Sequence, residues 1–274
     1  NKVSAVAIGS ALHYGKLEIK DLKKYITAKG IKIRNSLYQN EGLINSIKEN
    51  KKNSVNVIVI DYGMGNTQSL INALTTLNYE VILSNQVSDI SDGEIVILPG
   101  VGSFPEGMRE LEKRKFVDTL KKRAKEGKPI IGICLGMQLL FESSTEIKFT
   151  KGLNLLNGNV VHLQSFDENT VKTSEQIKVP NIGWNNISLL KFEKSIKLLN
   201  LEIFSSEYYF VHSYGVQISQ IANLQTVLRI KDIPFISMAI EKNICGFQFH
   251  PERSGEKGLF LLDTIIKNLL NKEF

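Results

Sequence analysis

The chain has 274 residues, 42% hydrophobic and 23% charged, enough to bury a large core as one big domain or one domain with an appendage. Its formal charge of +6 is unevenly placed: eleven of the 34 basic residues and four of the 28 acidic ones fall within residues 1–54, so that segment carries the whole basic excess. The lysines there are scattered rather than gathered with arginines and aromatics on one face, no run approaches the ~18 apolar residues of a membrane span, and the N-terminus lacks the signal-peptide order; neither nucleic acid nor membrane is an expected partner, and the expected compartment is cytoplasmic.

Residues 3–8 read as a short buried strand, followed by a Gly9-Ser10 turn. Ile19, Leu22 and Ile26, with lysines between them, predict an amphipathic helix over 18–29 that stops at Gly30. One strand-turn-helix unit cannot cover its own apolar faces, so it belongs to something larger. Residues 35–54, rich in Asn, Lys, Ser and Glu, read as a linker with a helical turn around Leu43 to Ile47. A second start follows at Val55–Ile60, a strand leading into Asp61-Tyr62-Gly63-Met64-Gly65-Asn66. Apolar residues at 70, 71, 74 and 77 predict a helix over Ser69–Leu77. Val81–Leu83 and Glu94–Leu98 are further strands, the latter running into Pro99-Gly100-Val101-Gly102-Ser103. One long helical region is expected from about Glu106 to Glu126, then the strand Ile130–Ile133. This alternation predicts a doubly wound, mostly parallel α/β sheet with ligands at the carboxyl ends of the strands.

After Phe141 the pattern changes. Short runs such as Val160–Leu163, Tyr208–Val211, Thr226–Leu228 and Phe235–Ile240 predict an added β section from Asn159 to about Gly246, with an exposed polar loop over Phe166–Lys178. Ile244–Phe249 is the last strand, His250-Pro251-Glu252-Arg253-Ser254 its exit loop and Leu259–Leu270 a closing helix.

The apolar run Ile130–Ile133 ends at Cys134, and a helix-like run begins directly after it, which puts the thiol on a tight strand-to-helix turn between Gly132 and Gly136. From this run alone, a nucleophile and a buried small hydrophobe are equally open readings. The second cysteine, Cys245, lies in another apolar run, and two such residues suit reduced thiols. A cysteine nucleophile needs a base and a group to orient it. Of the four histidines (His13, His162, His212 and His250), only His250 sits at a strand's carboxyl end with a carboxylate two residues on, where Glu252 could fix its tautomer. The backbone N–H of Leu135 and the Gly100-Val101-Gly102 nest, hence Val101 and Gly102, are candidate oxyanion donors, although those glycines could equally make only a tight turn.

Gly132-Ile133-Cys134-Leu135-Gly136-Met137-Gln138 together with His250-Pro251-Glu252 resembles the class I, triad-type glutamine amidotransferases. Asp61–Asn66, Pro180-Asn181-Ile182-Gly183-Trp184-Asn185 and Tyr209–Tyr214 look like the glutaminase subunit of the imidazole glycerol phosphate synthases, a resemblance covering about residues 55–270. It implies that Cys134 attacks the glutamine side-chain amide, that His250 protonates departing ammonia and activates the deacylating water, and that Glu252 orients His250. Gly100, Gly102, Gln138, Ser213 and Tyr214 then fall where the family holds glutamine. Asn66, Asn181, Trp184 and Arg253 fall on the side of the synthase subunit. Two residues depart from the family's usual pattern: Asn181 stands where histidine is frequent, and Arg253 where lysine is usual.

Residues 1–34 look like the last strand and helix of the cyclase partner, a (β/α)8 barrel, which implies that the chain is the C-terminal piece of a fusion with the cyclase upstream. The expected domains are therefore a barrel-derived fragment (1–34), a linker (35–54) and a glutamine amidotransferase domain (55–274). The resemblance further implies that ammonia from glutamine passes to the cyclase, that neither cofactor nor metal is needed, and that the oxyanion loop rearranges when the partner binds its ligand. Two alternatives remain at this level: a glutaminase serving a synthase of amidino sugars, and a scaffold that has lost catalysis.

Overall fold

Four apolar runs form the centre of the sheet. In the computed structural model these are β1 (Asn56–Ile60), β3 (Ile95–Leu98), β4 (Ile130–Ile133) and β13 (Ile244–Phe247), numbered in chain order. The structure describes residues 24–26, 28–30, 55–65, 67–165, 177–192, 201–217 and 223–273. The chain divides into two units, residues 1–41 and 42–274. In the first, Lys24–Ile26 and Ala28 are helical and the Lys29 N–H donates to the carbonyls of Tyr25 and Ile26, both at 3.2 Å. The chain then turns at Gly30 with φ +74°, the stop expected there. The predicted strand at 3–8 and the linker at 35–54 lie outside the described residues.

In the second unit β2 (Glu80–Ser84), β1, β3, β4 and β13 run parallel in the order β2-β1-β3-β4-β13. Such strands are covered on both faces, which is why the inner four read as apolar runs without alternation. Successive side chains still point to opposite faces. Val57, Val59, Ile95, Ile97, Ile131 and Phe247 pack on one side with helices α1 (Gln68–Thr76) and α6 (Gly255–Leu270). Ile58, Ile60, Val96, Leu98, Ile130 and Ile244 pack on the other with α3 (Phe104–Lys113), α4 (Phe116–Lys125) and α5 (Leu135–Leu140). The registers Leu98↔Gly132 and Gly246↔Gly132 bring β3, β4 and β13 to a common level, so their exit loops open side by side.

The single helix expected over Glu106–Glu126 is instead two helices. Lys115 takes a left-handed conformation, φ 62°, which ends α3 and restarts the chain as α4 so that both Leu111 and Leu120 reach the core. A short helix, α2 (Val87–Asp92), was not legible in the sequence. It is held from outside: the buried guanidinium of Arg123 donates through Nη1 to the carbonyls of Ile90, Ser91 and Gly93 at 2.8–3.1 Å, near that helix's C-terminus.

Beyond β13 the sheet continues through antiparallel strands, β12 (Ile233–Glu241), β10 (Tyr214–Gln217) and β7 (Asn159–His162), the β section expected from the sequence. A branch through β11 (Leu224–Ile230) leads to β8 (Asn181–Phe192) and β9 (Glu207–His212). The sequence did not reveal β8 as a strand. Its residues NIGWNNISLLKF carry three asparagines and a glycine, residue types depleted in strands, yet pairing with both β9 and β11 holds it extended. Of the Phe166–Lys178 loop, residues 166–176 lie outside the described set.

Candidate active site

Cys134 is the first residue past β4 and the cap of α5. Its backbone is held at φ 54°, ψ −111°, a region that costs a non-glycine residue energy. The surroundings over-determine it: the Cys134 N–H donates to Phe247 O at 2.7 Å and the Gln138 N–H to Cys134 O at 3.1 Å. The turn can be this tight because a Cβ on Gly136 would lie 1.8 Å from the Leu98 carbonyl oxygen. The thiol is 7% exposed and lines a pocket of about 270 Å³ with Val101, Gly102, Leu135, Gln138, Glu146 and Tyr214.

His250 leaves the neighbouring strand. Its Nδ1 lies 2.7 Å from Glu252 Oε1, so the ring donates there, and its Nε2 is buried with no hydrogen-bond partner in range among the described residues. Burial alone would depress the imidazole pKa, but interactions with Cys134 and Glu252 outweigh it and raise the pKa to about 10. These interactions favour the imidazolium form of His250. The exit loop is braced by Ser254, whose Oγ donates to His250 O at 2.6 Å and accepts from the Tyr209 N–H at 3.0 Å.

The glycine loop after β3 lies across the thiol. Gly100 O accepts from the Leu135 N–H at 3.3 Å, so this candidate oxyanion donor is engaged within the protein. Gly102 has φ +124° and Val101 is exposed, while Tyr62 braces the loop by donating to Pro99 O at 2.8 Å. Gln138 Nε2 donates to Tyr214 O and to Gln248 Oε1, both at 3.0 Å. Ser213 and Tyr214 form the facing wall with His212.

Of the four residues expected on the partner side, Asn66 lies outside the described residues. Asn181 donates through Nδ2 to His212 Nε2 at 3.0 Å, Trp184 stands 37% exposed and edge-on to Tyr209 with centroids 5.9 Å apart, and Arg253 is exposed on the turn that carries Glu252. Three residues near the thiol are not among the expected site residues, although His212 is one of the histidines weighed as a candidate base. Glu146, in the loop between β5 (Ser143–Ser144) and β6 (Thr150–Lys151), has its pKa raised by burial against the lowering effects of the Phe104 N–H bond and His162. His212 is held neutral, its pKa pushed down to about 4 by burial, with the Tyr214 carbonyl opposing and His250 reinforcing the shift. Gln248, the third, reaches the sulfur directly. Glu146 and Gln248 stand 12 and 114 residues from Cys134, with no spacing to betray them. Among the described residues no cluster of metal-ligating side chains occurs, and no helix is long and apolar enough to cross a membrane.

The family described as "Glutamine amidotransferase class-I" matches residues 58–267. The imidazole glycerol phosphate synthase subunit HisH of Listeria monocytogenes is 41% identical over 206 residues, covering 75% of this chain and 92% of that protein. The subunit of the same name from Lactococcus lactis is 36% identical over 213 residues, 78% of this chain and 98% of that one. Among solved structures, a glutamine amidotransferase aligns with TM-score 0.58 at 16% identity over 78% of this chain and 98% of its own. The structure of PurLQS from Thermotoga maritima aligns with TM-score 0.54 at 21% identity over 79% of this chain and 100% of that one. These last two speak for the fold alone.

Proposed function

The chain belongs to the class I glutamine amidotransferases, and from that premise we propose that Cys134, His250 and Glu252 hydrolyse glutamine as a triad and that the ammonia passes to a cyclase partner in histidine biosynthesis. The observation that carries this reading is the strained Cys134 turn beside a His250 whose Nδ1 is fixed by Glu252 at 2.7 Å. An imidazolium at neutral pH is the counter-ion a Cys134 thiolate requires and the proton source that departing ammonia requires.

In this reading the thiolate adds to the side-chain carbonyl carbon of glutamine, and the tetrahedral oxyanion collapses as His250 gives its proton to the leaving nitrogen. The resulting thioester is cleaved by water that His250, now neutral, deprotonates. Gln138, Ser213 and Tyr214 line the space for the substrate, and the Glu146 carboxylate suits its α-ammonium group. Gly100, Val101 and Gly102 form the oxyanion loop, and freeing the Leu135 N–H requires the Gly100 carbonyl to turn away. The synthase-subunit relatives favour histidine biosynthesis over amidino-sugar synthesis. The same proposal sets Asn181, Trp184 and Arg253 toward the partner, reads residues 1–34 as a barrel-derived piece, and puts the whole in the cytoplasm.

Cys134→Ala tests the assignment. Glutamine hydrolysis in the presence of a full cyclase and its nucleotide substrate should disappear, while synthesis driven by added ammonia persists. Glutamine turnover surviving in that variant would remove Cys134 from its role.

A further inference from the structure

Strand β13 pairs with β4 up to Phe247↔Ile133, and one step further along both strands brings Gln248 level with Cys134. Gln248 is 1% exposed and its backbone N–H is tied to Ser237 O at 2.9 Å. Its side chain does not end in the core. Nε2 lies 3.9 Å from Cys134 Sγ, and Oε1 accepts from Gln138 Nε2 at 3.0 Å.

The orientation of both amides is dictated from one end. The Tyr214 carbonyl can only accept, so the atom of Gln138 that meets it at 3.0 Å is the NH2 group. That same NH2 also faces Gln248, which must answer with its oxygen, and this leaves the Gln248 NH2 turned to the sulfur. Reversing either amide would set two donors or two acceptors against each other.

A donor at that place discriminates between the two states of the thiol. A charged sulfur accepts a hydrogen bond much more strongly than a neutral one, so a fixed N–H beside it favours the thiolate. We propose that Gln248 is a positioning residue for the nucleophile: its side-chain N–H donates to Cys134 Sγ, and Gln138 couples that donor to the Tyr214 wall of the substrate pocket. The proposal rests on the reading of Cys134 as the nucleophile. It assigns to Gln138 a second task besides lining the pocket, that of holding Gln248 in the donating orientation.

The test is the pH dependence of Cys134 alkylation by iodoacetamide in the full chain, followed by peptide mass and needing no partner. In Gln248→Met, which keeps length and apolar bulk but removes the donor, the midpoint should rise by about one pH unit, a roughly tenfold loss of alkylation rate below it. An unmoved or lowered midpoint in folded Gln248→Met overturns the proposal and leaves the nucleophile in place. If Gln248→Met fails to fold, the unaltered chain decides. With 15N-labelled glutamine, the side-chain NH2 resonance of Gln248 should shift through the same midpoint as alkylation and cease to shift in Cys134→Ala; a resonance that ignores the thiol's ionisation overturns the proposal. Absence of Cys134 alkylation at every pH in the unaltered chain would remove the nucleophile reading, and this proposal with it.

Discussion

Cys134, just past the end of β4, and Cys245, within β13, come from adjacent parallel strands of one sheet, yet only Cys134 lines the pocket of the candidate site. Cys245 lies inside the ladder, opposite Ile131 on one side and Ile240 on the other, and its complete burial pushes its thiol well above the ordinary pKa. Cys134 lies three residues further along β4 than Cys245's partner, just where pairing stops. There the loops leaving β3, β4 and β13 bring it a strained backbone, an imidazole pushed toward its cationic form and two side-chain amides. The residue type is the same, and the difference is the end of the strand. Within the ladder the backbone groups pair with one another, and the Cys245 side chain packs in the apolar core. Past it the chain must turn, and polar groups converge from separate elements.

The strongest way to break this contrast is to keep Cys134 where it is and remove the charge behind its base. Glu252→Gln preserves size and the contact with His250 Nδ1 but loses the carboxylate that orients and holds the imidazolium. Glutamine turnover, measured with a full cyclase and its nucleotide, should fall by roughly 10²–10⁴-fold with the fold intact by circular dichroism. A fall of less than tenfold would mean that strand-end geometry suffices without the carboxylate.

A second contrast lies between two histidines that end neighbouring stretches of the site. His250 is pushed toward its cationic form because Cys134 and Glu252 outweigh its burial, whereas His212 has no carboxylate partner among the described residues and is kept neutral, donating from Nδ1 to Tyr214 O and accepting from Asn181 at Nε2. The signs follow from the folded-state values. His212 is depressed to about 4 from an unfolded value near 6.5, so its contribution is present above pH 6.5 and is lost as the pH falls toward 4. His250 is raised, so its contribution is present below pH 6.5 and is lost as the pH rises through 10. Between pH 7 and 5 the chain should lose about 2 kcal/mol of unfolding free energy through His212. Urea titrations of His212→Gln should lack that part of the acid slope; an identical slope would show that His212 is not held neutral.

The sequence made the candidate strand-end site legible because each member of the proposed triad sits at a boundary that the chain itself marks. An apolar run stops at Cys134, another stops just before His250, and Pro251 and Glu252 follow at fixed offsets. The inner parallel strands were readable as strands for the same reason, since full burial leaves unbroken apolar runs, whereas their order in the sheet was not. What remained hidden depends on tertiary pairing. Lys115 breaks a continuous helical pattern through a backbone conformation that no residue type demands there, and β8 is extended only because β9 and β11 flank it. Gln248 and Glu146 reach the thiol's surroundings from positions that look like any polar residue in a strand or a loop. The basic N-terminal segment was read as a fragment of a barrel, and that reading rests on resemblance alone.

The smallest expected effect belongs to Cys245, and it completes the comparison. If its thiol is only a space-filling group among apolar neighbours, Cys245→Ala should cost about 1 kcal/mol of stability, the price of a small cavity beside Ile131 and Ile240. Glutamine hydrolysis should change less than threefold, because the ladder beneath the site would keep its register. Alkylation adds an independent readout: Cys245 should stay unmodified by iodoacetamide in the folded chain and react only in denaturant. Reaction of Cys245 in the folded chain at a rate near that of Cys134 would mean that the ladder opens readily between β13 and β12. The contrast between the two thiols would then be one of local stability, with strand-end chemistry contributing little.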